Sequence, residues 1–151
     1  MIQASLSTPF GDLTLTEEDG AITALGWGQA ARQDRSDLLD AALRQLKEYA
    51  TDERQSFDLP LRVMGSDFQR AVCTAILAIP FGHTRTYGEI ARDLGVPAQA
   101  VGGACGGNPI PVIIPCHRVM GAKGLTGFSG AGGVETKVAL LRHEGAAGLL
   151  I

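Results

Sequence analysis

The sequence predicts an α+β chain in two parts, a small antiparallel sheet with one helix and then a mainly helical half. Three observations carry this. Short segments near the start alternate apolar and polar residues with turn chemistry between them, the period-2 signature of half-buried strands. Later runs repeat their apolar residues at helical spacing, and Ser36, Ser66 and Thr86 stand where N-caps belong. Charge divides the same way. Residues 1–62 hold six Lys/Arg against eleven Asp/Glu, a net of −5, whereas residues 63–151 hold seven against five, a net of +2.

In chain order, Ile2, Ala4 and Leu6 share one face of a first strand over residues 2–8, and Thr8-Pro9-Phe10-Gly11 turns the chain. Leu13-Thr14-Leu15-Thr16 reads as a second strand, Glu17-Glu18-Asp19-Gly20 as a hairpin turn, and Ala21 to Trp27 as a third strand, which completes a meander. Ser36 caps a helix with Leu38, Leu39, Ala42, Leu43, Leu46 and Tyr49 at helical spacing. Phe57-Asp58-Leu59-Pro60-Leu61 is an extended connection. The boundary falls near Val63-Met64-Gly65, giving a supporting domain over residues 1–62 and a second domain over residues 63–151.

In the second domain Ser66 caps a helix whose apolar face is Phe68, Val72, Ala75, Ile76 and Ile79, and Pro80 and Gly82 end it. Cys73 lies inside that helix as a core residue. Thr86 caps a short helix from Tyr87 to Leu94, stopped by Gly95, and Pro97 opens another over about Ala98 to Gly107. Two short helices around a glycine turn fit either an αα-hairpin or a helix-turn-helix. The second of the pair carries glycine at 102, 103, 106 and 107. Each glycine costs a helix roughly 1 kcal/mol against alanine, so a reason other than helicity favours small residues there. Close approach of a partner surface is one. With no Arg, Lys or Asn between Ala98 and Gly107, this helix cannot read bases by bidentate pairs. Gly121 to Gly133 is a glycine-rich loop. Val134 to His143 then reads as a terminal helix with Val134, Val138 and Leu141 inward and Glu144 at its end.

The chemistry concentrates at Pro111-Val112-Ile113-Ile114-Pro115-Cys116-His117-Arg118-Val119. The β-branched run suits a buried extended segment, and the prolines keep it out of a helix or an interior strand. It delivers a thiol with a titratable ring and a permanent cation next to it in sequence. A buried cysteine is ordinarily a small hydrophobe, but reactive thiols sit beside positive or proton-accepting groups, as this one does. In an extended segment the side chains of Cys116 and His117 point apart, so a bridging water fits better than direct contact.

Composition narrows the rest. At 151 residues, 45% hydrophobic and 19% charged, the chain is an ordinary globular protein of one or two small domains. Three cysteines form no disulfide framework and match a reducing cytoplasm, and with three histidines they are too few for a Cys-rich zinc site. No metal site is therefore expected. The N-terminus lacks a basic segment leading into an apolar one, and no apolar stretch reaches the roughly 20 residues of a membrane span. The net charge of −3 argues weakly against a nucleic-acid partner, but the +2 half is compatible with one, with modest phosphate neutralisation and modest, salt-sensitive affinity.

Asn108-Pro109-Ile110 with Ile113-Ile114-Pro115-Cys116-His117-Arg118-Val119 resembles the active-site signature of the O6-alkylguanine-DNA alkyltransferases, the methylated-DNA–protein-cysteine methyltransferases. The likeness extends over Gly65 to Gln69, Ile79 to Gly82, Thr86 to Ala91 and Leu140 to Gly145, which is most of the second domain. It implies an RNase H-like first domain and a winged-helix-like second domain whose helix-turn-helix lies in the DNA minor groove. It also implies stoichiometric, single-turnover transfer of an alkyl group, such as methyl, from guanine O6 to Cys116. In that reading His117 and Glu144 form a water-linked relay to the thiol, Tyr87 donates to the flipped guanine, and Asn108 braces the turn before the cysteine. Arg118 positions the segment, Ser129 contacts the base oxygen, and Val119 and Phe128 line the pocket. Gln99, Ala100 and Gly102 face DNA, and the partner is alkylated double- or single-stranded DNA, bound by a cytoplasmic monomer without sequence preference.

Two departures bear on activity. Gln99 stands where the family usually has an arginine that enters the base stack, and the preceding turn is two residues shorter. Phe128 replaces the usual tyrosine, and Ser129 to Gly133 carries extra residues. A non-enzymatic lesion-binding protein like the alkyltransferase-like proteins is the alternative, but those replace the nucleophile that this chain keeps. A cysteine hydrolase needs an oriented Cys–His pair and an oxyanion hole, which no motif here supplies.

Overall fold

A computed structural model describes residues 1–121 and 133–146. The chain forms two compact units, Met1–Met64 and Gly65–Ile151. The first is the expected meander: β1 (Ile2–Thr8), β2 (Gly11–Glu18) and β3 (Ala21–Trp27), antiparallel in that order, with α1 (Asp37–Ala50) packed across them. Ala4, Leu13, Leu15, Ile22 and Leu25 of the sheet and Leu39, Ala42, Leu46 and Tyr49 of the helix are buried. Ser36 caps α1 by accepting from the Leu39 amide. Gln45, a buried polar residue on the same helix face, holds the connection after α1: it donates to Asp58 O at 3.1 Å and accepts from Asp58 N at 2.9 Å. Beyond it, Leu61 lies beside Ile22 of β3, with Ile22 N donating to Pro60 O at 2.8 Å.

The second unit contains α2 (Asp67–Leu77), β4 (Arg85–Thr86), α3 (Tyr87–Leu94), α4 (Ala98–Gly106), a 3₁₀ turn (Cys116–Arg118), β5 (Val119–Met120) and α5 (Val134–His143). The caps are those the sequence names. Ser66 accepts from Gln69 N, Thr86 and Glu89 form a full capping box, and Gly95 ends α3 in the left-handed conformation at φ 69°. The helices α2, α3 and α4 pack on one another, burying Val72, Ile76, Ile90 and Val101.

Two expectations need correction, and one feature was not foreseen. The run Val112 to Ile114 is buried but not extended: Val112 sits at φ 71°, Ile113 N bonds Pro111 O, Ile114 N bonds Ile110 O, and Cys116 begins a 3₁₀ turn. Asn108 imposes this, since its side chain accepts from Ile110 N and donates to Ile114 O. The local β-branched preference yields to those buried hydrogen bonds. Second, Val134 is 42% exposed rather than inward; α5 buries Thr136, Lys137, Leu140 and Leu141, and with Glu144 at its C-cap the last three form a stripe spaced i, i+3, i+4, i+7. That stripe begins and ends on a charge, so apolar periodicity could not find it. Third, the chain contains a two-residue parallel pairing, Arg85 with Val119 and Thr86 with Met120. It ties the start of α3 to the residues that follow Cys116. Phe128 and Ser129 lie outside the described residues.

Candidate active site around Cys116

The site is assembled from four places in the chain: the Asn108 turn, the Cys116–Arg118 turn, the start of α3 and the buried stripe of α5. Cys116 is 4% exposed. Burial pushes its thiol above the ordinary value, while a hydrogen bond with Asn108 and the charge of Lys137 pull it down; burial is the largest influence and the net shift is upward. In the free protein the thiol is therefore protonated at neutral pH. The other two thiols are also buried, with Cys73 raised and Cys105 pushed up to about 12. Neither has thiolate character.

His117 and Arg118, the neighbours of Cys116 in sequence, both turn to Glu144. His117 is fully buried, with Nε2 2.8 Å from Glu144 Oε2. Arg118 donates Nε to Oε1 at 2.8 Å and Nη2 to Oε2 at 2.9 Å, a bidentate pair, and Nη1 to Ile79 O at 2.7 Å. Its guanidinium carbon lies 5.9 Å from the centre of the Phe81 ring. Gly82 N also points at Glu144 Oε1, at 3.4 Å. Gly82 has φ 81°, and a Cβ there would meet the Glu144 carbonyl at 3.3 Å, so glycine is what this approach allows.

The carboxylate only accepts, so His117 Nε2 carries the hydrogen and Nδ1 is the bare nitrogen. Among the described residues, Nδ1 is buried without a hydrogen-bond partner. Burial lowers the His117 pKa more than Glu144 raises it, which keeps the ring neutral near pH 7 and Nδ1 able to accept a proton. The geometry is that of an oriented base, held by a carboxylate that an arginine compensates.

Lys137 is the residue the sequence did not reveal. It is 1% exposed, donates Nζ to Val119 O at 2.6 Å, and lies 5.8 Å from the centre of the Tyr87 ring. One signal pointed to it: it lies seven residues before Glu144, on the same helix face, but a lysine on a helix reads as solvated.

The remaining candidates are distributed as follows. Asn108 is 7% exposed and braces the turn, and Val119 is fully buried. Tyr87 is half-buried at the first position of α3. Gln99 is exposed at the second position of α4, Ala100 and Gly102 are half-buried on the same helix, and among the described residues nothing outside the helix's own backbone lies within 4 Å of a Cβ built on Gly102, Gly103 or Gly106. Gly107 differs, since a Cβ there would meet the Gln69 side chain at 3.3 Å.

Residues 67–146 match the family model for the 6-O-methylguanine DNA methyltransferase DNA-binding domain, and residues 1–63 match the model for its ribonuclease-like domain. The chain belongs to the 6-O-methylguanine DNA methyltransferase family. A methylated-DNA–protein-cysteine methyltransferase of Mycolicibacterium paratuberculosis is 41% identical across 93% of this chain and 90% of the relative. The constitutive Bacillus subtilis protein of the same name is 38% identical across 91% of each. Among solved structures, Mycobacterium tuberculosis OGT in complex with DNA superposes with a TM-score of 0.85 at 41% identity, covering 95% of this chain and 92% of that one. The α+β architecture of a small antiparallel sheet followed by a helical unit is the methyltransferase fold.

Proposed function

We propose that this methyltransferase-family chain repairs DNA by moving an alkyl group, methyl among them, from guanine O6 to Cys116 in a single, irreversible turnover without a cofactor. The observation that supports it most is the buried Cys116, at the end of a turn braced by Asn108 and followed in the same 3₁₀ turn by a neutral, oriented His117 whose Nδ1 has no hydrogen-bond partner among the described residues. Residues 1–62 support the fold and residues 63–151 bind DNA and carry the chemistry.

The sulfur attacks the alkyl carbon, the bond from that carbon to O6 breaks, and its electron pair passes into the purine. The thiol proton leaves through His117 Nδ1, by way of a bridging water, and the departing guanine takes a proton, so that thiol plus alkylguanine becomes thioether plus guanine. Glu144 fixes the tautomer of His117, and Arg118 fixes Glu144. Tyr87 donates to the flipped base, Val119 and Phe128 line its pocket, and Ser129 contacts its oxygen. Gln99, Ala100 and Gly102 meet the DNA, which is double- or single-stranded and read without sequence preference. The protein acts as a cytoplasmic monomer. No described helix is long and apolar enough to cross a membrane.

Intact-mass spectrometry after incubation with an O6-methylguanine oligonucleotide tests the reading. A gain of one methyl group, mapped to Cys116 and absent in Cys116→Ala, is expected, with Cys73→Ala and Cys105→Ala still accepting it. Binding without mass change points instead to the lesion-binding alternative, and hydrolysis of an ester or peptide to a cysteine hydrolase.

A further inference from the structure

We infer that Lys137 is the counter-charge that makes the Cys116 thiolate attainable, and that the cations adjacent to Cys116 in sequence are not. The inference rests on the alkyl-transfer reading above. Both neighbours of Cys116 are engaged elsewhere, His117 by one carboxylate oxygen of Glu144 and Arg118 by both, with its remaining amino group on Ile79 O. Lys137 comes from 21 residues further along the chain, on α5, which packs against the 3₁₀ turn that Cys116 begins, and its ammonium bonds the carbonyl of Val119, the residue that closes that turn; its charge acts to lower the thiol.

Lys137 is held for that purpose. Its aliphatic stem runs through the core, and its ammonium is fixed by Val119 O at 2.6 Å and by the Tyr87 ring face at 5.8 Å. Val119 O is neutral, so the described contacts leave the positive charge without a bound anion. A buried ammonium in that position is disfavoured unless a negative charge forms beside it. The Cys116 sulfur is the group that can supply one, and Cys105, which also acts on Lys137, does so less than Cys116. The influence is reciprocal: Lys137 lowers the thiol and Cys116 raises the amine, each against its own burial. During transfer the developing thiolate and the ammonium stabilise each other. Once the sulfur is alkylated it can no longer be an anion, and Lys137 loses its partner.

Two measurements test this, neither of which uses guanine as donor, so their failure is separable from failure of the repair reading. The first is the pH profile of Cys116 alkylation by iodoacetamide in Lys137→Met, which keeps the apolar length and removes the charge. The midpoint is expected to move up by at least one pH unit, with at least a tenfold slower reaction at neutral pH, while circular dichroism and DNA affinity match the wild type. An unchanged profile in a folded variant overturns the inference. The second uses the wild type and covers the case in which Lys137→Met does not fold. The chain has three lysines, 47, 123 and 137, so 13C-lysine NMR resolves each Cε signal. Methylation of Cys116 is expected to lower the titration midpoint of Lys137 and leave those of Lys47 and Lys123 in place. An unmoved Lys137 midpoint overturns the inference even if the variant cannot be studied.

Discussion

Two buried side chains, His117 and Arg118, converge on Glu144. It is 5% exposed, at the end of α5, and its carboxylate meets His117, Arg118 and the Gly82 amide. A negative charge is unfavourable at a helix C-terminus, so the site outweighs the helix here. Glu144→Gln removes the charge and leaves Arg118 buried with its bidentate partner halved. Breaking a buried pair in this way costs about 3–5 kcal/mol, and urea denaturation should show a loss of that order together with a large drop in transfer rate. His117 predicts a pH dependence. Its folded pKa is lowered from the ordinary 6.5, so below that value the unfolded chain takes up a proton that the folded chain refuses. Stability is present above pH 6.5 and falls as pH drops toward the lowered folded value. Thermal unfolding from pH 7.5 down to 5 should show this loss, and His117→Gln should flatten it. Asp34 and Glu89, whose carboxyls are also lowered, act only at more acidic pH, because their ordinary values are 3.8 and 4.5.

At the scale of elements, α4 is a helix weakened by its own composition. Among the described residues a Cβ added at Gly102, Gly103 or Gly106 meets nothing within 4 Å beyond the helix's own backbone, so packing does not require glycine there. Gly103→Ala should therefore stabilise the protein by up to about 1 kcal/mol while weakening duplex affinity severalfold, a combination readable by melting and by anisotropy titration. If affinity is untouched, α4 does not approach DNA. Gly107→Ala, crowded by Gln69, should gain no stability. Gln99 lies on the exposed first turn of α4. A neutral, short side chain fills a vacated base position less well than an inserted arginine would, and extrusion of a base costs a few kcal/mol. Wild type is expected to act on single strands nearly as fast as its chemistry allows and to lag on intact duplex. Gln99→Arg should speed duplex repair and leave reaction with free O6-benzylguanine unchanged. Equal rates on both strand types, with no effect of Gln99→Arg, would show that residue 99 does not face the gap.

The whole molecule is acidic at −3, yet its charge is unevenly divided, −5 over residues 1–62 and +2 over residues 63–151. A small positive charge supports few phosphate contacts, and the slope of log affinity against log salt for duplex DNA follows their number at about −0.9 per contact. A shallow slope with equal affinities for unrelated undamaged duplexes is expected from titration at several salt concentrations. Strong preference for one undamaged sequence would contradict the shape-reading role of α4.

The sequence by itself determined whatever rests on local chemistry. The three strands, the caps at Ser36, Ser66 and Thr86 and the stop at Gly95 were legible because turns, caps and apolar periods act over a few residues. The Asn108–Cys116 turn was misread as extended, because β-branched preference is a weak local term and the two buried hydrogen bonds of Asn108 outweigh it. The partners of the thiol were decided only by tertiary structure. Adjacency in sequence put His117 and Arg118 beside Cys116, but packing α5 against the 3₁₀ turn brought Glu144 to claim both and Lys137 to bond Val119 O at the end of that turn. A charge couples to what lies within a few ångströms of it, and that distance is set by the fold rather than by the spacing of residues along the chain.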